Sequence, residues 1–356
     1  MPTDLPRGAI DCDIHPAVPA MAALLPYLDA HWRDQIVLRG IDGLDPTLYP
    51  PGLAASARPD WRGAVPPGSD FAAVQRDALD GLGSRIAICN CLYAVAAVFN
   101  PDMGAALATA VNDWIAAEWL DRDARLRASV VISLQDVAQA VAEIERRGAD
   151  RRFVQVLVPA MTEMPLGRRQ FWPIWEAAAR HRLPLGIHAG SMMRHATTSN
   201  GWPSTYIEDQ VAQAHAFQAQ LLSLMAEGVF ARVPALTVVL IESGVSWLGN
   251  FLWRANKTWR AMRAEVPWVQ RPPAEIMRAH VRLTMQPFDA PPQPDMVARL
   301  LAQIGSDRML LFASDYPHWQ FDGIAALPDG LPEAMLPNLL TDNALDTYPR
   351  LREDPP

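Results

Sequence analysis

Residues 10–17 read Ile10-Asp11-Cys12-Asp13-Ile14-His15-Pro16-Ala17. The first six have the two-residue period of a strand, which puts Asp11, Asp13 and His15 on one side. The turn after this strand chooses the architecture. An open doubly wound sheet calls for a glycine-rich phosphate turn or another crevice signal at this point, and residues 12–17 offer none. Seven more β-rich runs occur along the chain, at 85–91, 128–134, 153–159, 183–188, 236–242, 281–286 and 309–315. They alternate with amphipathic patterns at 71–82, 105–122, 137–147, 171–181, 211–227, 246–263, 295–304 and 333–346. Strict alternation implies parallel pairing, so the expected fold is a closed (β/α)8, or TIM, barrel spanning 1–356 as a single domain.

Composition bounds the function. Half of the 356 residues are hydrophobic, enough to bury a large core, and the net charge of −8 comes without a long basic run. Nucleic acid and an anionic membrane surface are therefore poor partners, and a small-molecule substrate is the expected one. Cys12, Cys89 and Cys91 sit in apolar segments without zinc-ribbon spacing and read as reduced core thiols. Pro2, Thr3 and Asp4 open no basic-then-apolar leader, and no stretch approaches the roughly 18 apolar residues of a membrane span. A cytoplasmic enzyme is the expectation.

The segment 16–69 is too long for an ordinary βα loop and carries Pro50-Pro51-Gly52 and Pro66-Pro67-Gly68. Loops after barrel strands build the active site, so this insertion is read as a cap over the mouth, with a passive surface excursion as the alternative. The proline-rich stretches 270–273 and 287–294 read as further barrel loops.

Chemistry-bearing residues fall where apolar strands end. A carboxylate and an imidazole two apart, Asp13 and His15, can approach one cation from the same direction. Strand five ends Leu185-Gly186-Ile187-His188-Ala189-Gly190, and strand eight ends Leu311-Phe312-Ala313-Ser314-Asp315-Tyr316-Pro317-His318. Each end alone could be a polar residue making a local hydrogen bond. Together they fall on strands one, five and eight, whose ends a barrel gathers at one rim.

At these residues the chain resembles the amidohydrolase superfamily, in particular the branch of metal-dependent hydrolases and non-oxidative decarboxylases of aromatic or unsaturated acids. The resemblance rests on Asp13-Ile14-His15, His188-Ala189-Gly190, the stretch from Val239 through Glu242 to Trp247, and the stretch from Phe312 through Asp315 to Trp319. It implies that Asp13, His15, His188 and Asp315 hold a divalent ion. Two positions depart from the common pattern: Asp13 stands where many relatives have histidine, as in some decarboxylases, and Glu242 stands where many have a strand-six histidine. Glu242 could ligate the ion, act as acid or base, or orient a neighbour, and the latter two roles are preferred here. Strand four ends without a bridging lysine or carboxylate, so one ion is expected, and zinc and manganese both suit the ligands.

Asp315, Glu242 and His318 are the candidate acid/base residues; for His318 an ordinary rim hydrogen bond is the alternative. Arg194, His195 and Gln286 are candidate substrate contacts, against solvated loop residues and barrel packing. Arg254 and Lys257 share a helix face but read as solvated, and His31, His181, His215 and His280 are left out of the site. The tryptophan-rich stretch from Trp247 to Trp268 reads as packing or a subunit interface, consistent with a homodimer. The leading expectation is hydrolysis of a polarised carbonyl, an amide, lactone or related bond. Metal-dependent decarboxylation is its close alternative, and a non-catalytic binding barrel is a third reading.

Overall fold

The computed structural model describes residues 8–44, 57–93, 95–190, 194–318 and 327–352. Eight parallel strands stand in chain order: β1 (Ile10–Ile14), β2 (Ile86–Cys89), β3 (Leu126–Val131), β4 (Phe153–Pro159), β5 (Leu185–His188), β6 (Val238–Ile241), β7 (Val281–Thr284) and β8 (Leu310–Leu311). The ring closes between β8 and β1 through three backbone hydrogen bonds: Cys12 N–H to the Phe312 carbonyl (2.9 Å), Asp315 N–H to Asp13 (3.1 Å) and His15 N–H to Tyr316 (2.8 Å). The buried Asp11 carboxylate strengthens this seam by accepting from Ser314 N–H at 2.9 Å. Strand eight is shorter than the expected 309–315, because from Phe312 onward the chain bonds to β1 and to Leu339 instead of continuing the β7 ladder.

Helices occupy the outside: α1 (Ala30–Arg39), α2 (Phe71–Val74), α3 (Pro101–Ile115), α4 (Val137–Gly148), α5 (Trp172–Arg180), α6 (Tyr206–Ala226), α7 (Val229–Arg232), α8 (Leu248–Met262), α9 (Pro273–His280), α10 (Pro294–Ile304) and α11 (Asn343–Thr347). Two of the longer ones fall where the sequence reads as loop. The α1 helix buries Ile36 alone and is held by its caps, the Asp29 carboxylate on Trp32 N–H and Gly40 in the left-handed region. The α9 helix starts in the proline run 270–273; a proline in a helix's first turn forfeits no helical bond. Conversely, the single helix expected at 333–346 is broken into a 3-10 turn, a π turn and α11, with Pro337 at the break.

A sheet covered on both faces is buried along its whole length, and β1, β3, β5 and β6 are buried at every residue. The three cysteines are free and buried in this core. Below the barrel, Arg350 inserts among the strand starts and donates to the carbonyls of Gly148, Asp150, Phe153 and His181. Above it, part of the 16–69 insertion leans on the seam: Arg58 N–H donates to the Pro317 carbonyl at 3.0 Å and Trp61 lies 4.6 Å from the Tyr316 ring. Gly68 approaches β1 so closely that a Cβ there would collide with the His15 carbonyl oxygen. Another part packs beside α3, where Tyr27 O–H donates to Glu118 at 2.9 Å. Pro50-Pro51-Gly52 and Trp319 lie outside the described residues. Among the described residues no helix is long and apolar enough to cross a membrane.

Candidate functional site

Six side chains converge at the strand ends. Asp13 comes from β1 and His15 from just beyond it, His188 from the last position of β5, Glu242 from just beyond β6, and Asp315 and His318 from beyond β8. Ligand atoms of Asp13, His15, His188 and Glu242 lie within 4.8 Å of one another, and so do those of His15, Glu242, Asp315 and His318. The expected ligands thus fall in two overlapping groups that share His15 and Glu242, Asp13 and His188 in one and Asp315 in the other. Glu242 Oε1 is 3.4 Å from His15 Nε2, 3.6 Å from His188 Nε2 and 2.9 Å from His318 Nδ1.

Backbone conformation aims two of these carboxylates. Glu242 and Asp315 have φ of 59° and 58°, the left-handed region that side chains other than glycine seldom adopt. Such strain persists only where surroundings enforce it. At Glu242 the backbone N–H is held by Thr284 Oγ1 at 3.1 Å; at Asp315 the N–H is held by the β1 carbonyl of Asp13.

Both buried imidazoles are oriented by carbonyl oxygens. His15 Nδ1 lies 2.9 Å from the Asn90 carbonyl and His188 Nδ1 2.5 Å from that of Ala189. A carbonyl only accepts, so each Nδ1 carries hydrogen and each Nε2 faces the carboxylates. Asn90 also donates from Nδ2 to Asp13 Oδ1 at 2.8 Å. Its Oδ1 receives Ser129 O–H at 2.5 Å and Gln155 N–H at 2.9 Å, while Gln155 Oε1 accepts from Tyr348 O–H at 3.2 Å. With two donors fixed on its oxygen, the Asn90 amide has one orientation, and every donor in this buried row points toward Asp13. None of Asn90, Ser129 or Gln155 stands out in the sequence. The available signal is a lone polar residue inside or just after an apolar strand.

Charge in the cluster is strongly coupled. Burial pushes Asp315 up to about 6, aided by the Glu242 charge. Burial works against Glu242 as well, but His188 and His318 outweigh it and hold that carboxyl well below its usual range. Burial likewise opposes ionised Asp13, whose carboxyl His15 and His188 hold low. His318 is pushed up to about 9 because the Asp315 charge, 2.5 Å from Nδ1, outweighs the cost of burial. Protons on imidazoles here balance three carboxylates, the role a cation would take over while displacing them. Within the six cluster side chains, three buried atoms have no hydrogen-bond partner: Asp13 Oδ2, His188 Nε2 and Asp315 Oδ2. Orphaned acceptors amid carboxylates and neutral-capable imidazoles fit a divalent ion.

Arg194 and His195 lie apart from this cluster, on a chamber of 230 Å³. A narrow apolar crevice lined by Leu92, Val95, Leu157 and Pro159 runs beside His188 and shares Ala96, Ile132 and Pro159 with that chamber. Gln286 is buried beyond β7 and lines neither space. Arg254 and Lys257 are exposed, His181 pairs with Glu145, and His280 bonds the Leu236 carbonyl, so none joins the site.

A protein-family profile described as Amidohydrolase matches residues 10–350. A curated gamma-resorcylate decarboxylase of Polaromonas sp. (strain JS666) is 25% identical over 246 residues, covering 65% of this chain and 72% of that one. Among solved structures, an amidohydrolase of Mycobacterium avium subsp. paratuberculosis superimposes with a TM-score of 0.72 at 21% identity, covering 97% of this chain and 100% of the other. A 5-carboxyvanillate decarboxylase of Novosphingobium aromaticivorans, complexed with manganese and 4-hydroxy-3-methoxy-5-nitrobenzoic acid, gives a TM-score of 0.70 at 17% identity over 97% of each chain. At these identities the two structures speak for the fold.

Proposed function

The chain belongs to the amidohydrolase family, and from that premise we propose that it is a metal-dependent, non-oxidative decarboxylase of a small aromatic or unsaturated carboxylic acid. The observation that carries the reading is the set of orphaned atoms, Asp13 Oδ2, His188 Nε2 and Asp315 Oδ2, within the cluster at the barrel mouth. Asp13, His15, His188 and Glu242 would hold a single zinc or manganese ion, with Asp315 beside it. Such an ion would supply positive charge against which an anionic substrate is held.

The sequence alone favours hydrolysis because Glu242 replaces a histidine. Two observations shift the preference. A curated relative is named a decarboxylase, and Glu242 Oε1 lies among the candidate ligand atoms, so its identity does not argue against that chemistry. The apolar crevice beside His188 adds to this, since a carboxylate is destabilised on leaving water while carbon dioxide is not.

In the proposed reaction the bond between ring carbon and carboxyl carbon breaks, its electron pair stays on the ring carbon, and carbon dioxide leaves. Asp315, raised toward neutrality by burial, delivers a proton to that carbon from Oδ2, and His318, hydrogen-bonded to Oδ1, restores it. Residues 57–68, leaning on Tyr316 and Pro317, would shield this proton from solvent.

Turnover of 2,6-dihydroxybenzoate and related hydroxybenzoates by manganese-loaded protein in deuterated, oxygen-18-enriched water tests the proposal. Expected are stoichiometric carbon dioxide, one solvent deuterium on the product carbon, no oxygen-18 in the product, and loss of turnover by about 100-fold or more in Asp315→Asn. Incorporation of oxygen-18 into a product acid, with lactones or amides as substrates, would establish hydrolysis instead.

A further inference from the structure

The 230 Å³ chamber beyond the crevice is lined by a half-buried guanidinium that donates to none of the described residues. Its apolar walls include Ile132, Pro159, Met161 and Phe171, and Arg194, His195 and Glu163 stand among its lining. The Arg194 side chain is only 18% exposed, yet among the described residues it makes no hydrogen bond. Its contacts are Glu163, 3.9 Å away on a side chain that is 63% exposed, and the Phe99 ring at 4.2 Å. A separation of 3.9 Å is too long for a hydrogen bond, and a solvated carboxylate neutralises a neighbour weakly. A guanidinium presents five donors in a planar fork that matches a carboxylate, and leaving them desolvated without acceptors is costly.

The chamber's position gives that fork a purpose. Pro159 pairs in register with His188, and the same proline lines both the crevice beside His188 and the chamber. At 230 Å³ the chamber is smaller than a whole ligand pocket of roughly 300 Å³ or more, so it suits one end of a ligand whose other end lies at the cluster.

We propose that this chamber is a second anion subsite in which Arg194 binds a carboxylate that the reaction leaves in place, so that the substrate is an aromatic or unsaturated diacid. One carboxylate is lost at the cluster as carbon dioxide and replaced by a proton; the other remains on the product. This rests on the decarboxylase reading.

A matched pair of probes isolates the retained carboxylate. In 4-hydroxy-3-methoxy-5-nitrobenzoate, neighbouring hydroxyl and nitro oxygens occupy one side of the ring and a carboxylate the opposite side; 2-methoxy-6-nitrophenol is the same molecule without that carboxylate. Calorimetric titration of manganese-loaded protein should show the benzoate binding about tenfold or more tightly, the worth of a charge-assisted hydrogen bond. Arg194→Gln should remove the preference while leaving nitrophenol affinity unchanged, and Arg194→Lys should retain part of it. Equal affinity of the two probes for unaltered protein, or a preference that survives Arg194→Gln, overturns the subsite but leaves decarboxylation standing. Failure of both probes to bind overturns decarboxylation and the subsite with it.

Discussion

Two arginines mark opposite ends of this barrel and differ in what surrounds them. Arg350, 2% exposed beneath the strands, directs Nε, Nη1 and Nη2 at the carbonyls of four residues, with distances from 2.7 to 3.1 Å. Arg194, at the rim, is half-buried, with 18% of its side chain exposed, and donates to none of the described residues. The first guanidinium is satisfied by backbone carbonyls, whereas the second finds no acceptor among the described residues. The same division separates the two faces of a (β/α)8 barrel generally, where the lower face serves stability and the upper face serves binding. Partner counting at buried cations therefore distinguishes a staple from a recognition group without reference to the reaction.

The largest effect that would sharpen this contrast belongs to the lower face. Arg350→Met keeps much of the volume but orphans carbonyls at the start of β4 and the end of α5, each costing about 1–3 kcal/mol when buried. A loss near 3 kcal/mol in urea denaturation is expected, with hydroxybenzoate affinity of the remaining folded protein unchanged. A loss below about 1 kcal/mol would show that those carbonyls find other donors, and Arg350 would cease to be a staple.

Next in size is the row of amides that connects the barrel interior to the cluster. Asn90→Ala removes the donor on Asp13 Oδ1, leaves Ser129 without its acceptor and leaves Gln155 Nε2 with Ser129 Oγ alone. Partners behind metal ligands are typically worth 10–100-fold in metal affinity, so chelator competition should show manganese binding weakened by about that factor. The His15 contact uses the Asn90 backbone carbonyl and survives the change, so the loss reports the Asp13 side alone. Unaltered affinity would mean that Asp13 needs no orienting donor.

Legibility in the sequence divides in the same way, between local and distributed features. Asp13, His15, His188 and Asp315 are readable because each ends an apolar run, a local event, and the alternation of runs tells where those ends meet. Glu242 is visible but misplaced in depth: its side chain reaches the cluster through a left-handed turn fixed by Thr284, 42 residues away. Asn90, Ser129 and Gln155 escape notice because each partner lies on another strand, as with Asn90 and Asp13, 77 positions apart. Helix α9 is hidden by its own opening proline, and α1 by an almost wholly exposed surface that leaves no apolar stripe. The end of β8 reads too long because Phe312 to Asp315 are as buried as a strand while serving the seam with β1.

The smallest expected effect is the one that most directly tests the contrast between the arginines. In ligand-free protein, Arg194→Met gives up a long ion pair to the exposed Glu163, worth about 0–1 kcal/mol, and a stack on Phe99, itself 77% exposed, worth about 0.5–1 kcal/mol. Against this it removes a guanidinium held largely out of water without hydrogen bonds, a cost of about 1–3 kcal/mol, and lays a flexible apolar chain along Met161 and Phe171. These contributions nearly cancel, so the urea midpoint should move by no more than the equivalent of about 0.5 kcal/mol in either direction. A loss beyond about 2 kcal/mol would make Arg194 a second staple. The desolvated fork at the rim would then be a requirement of the fold, and its lack of partners would cease to point to an anion.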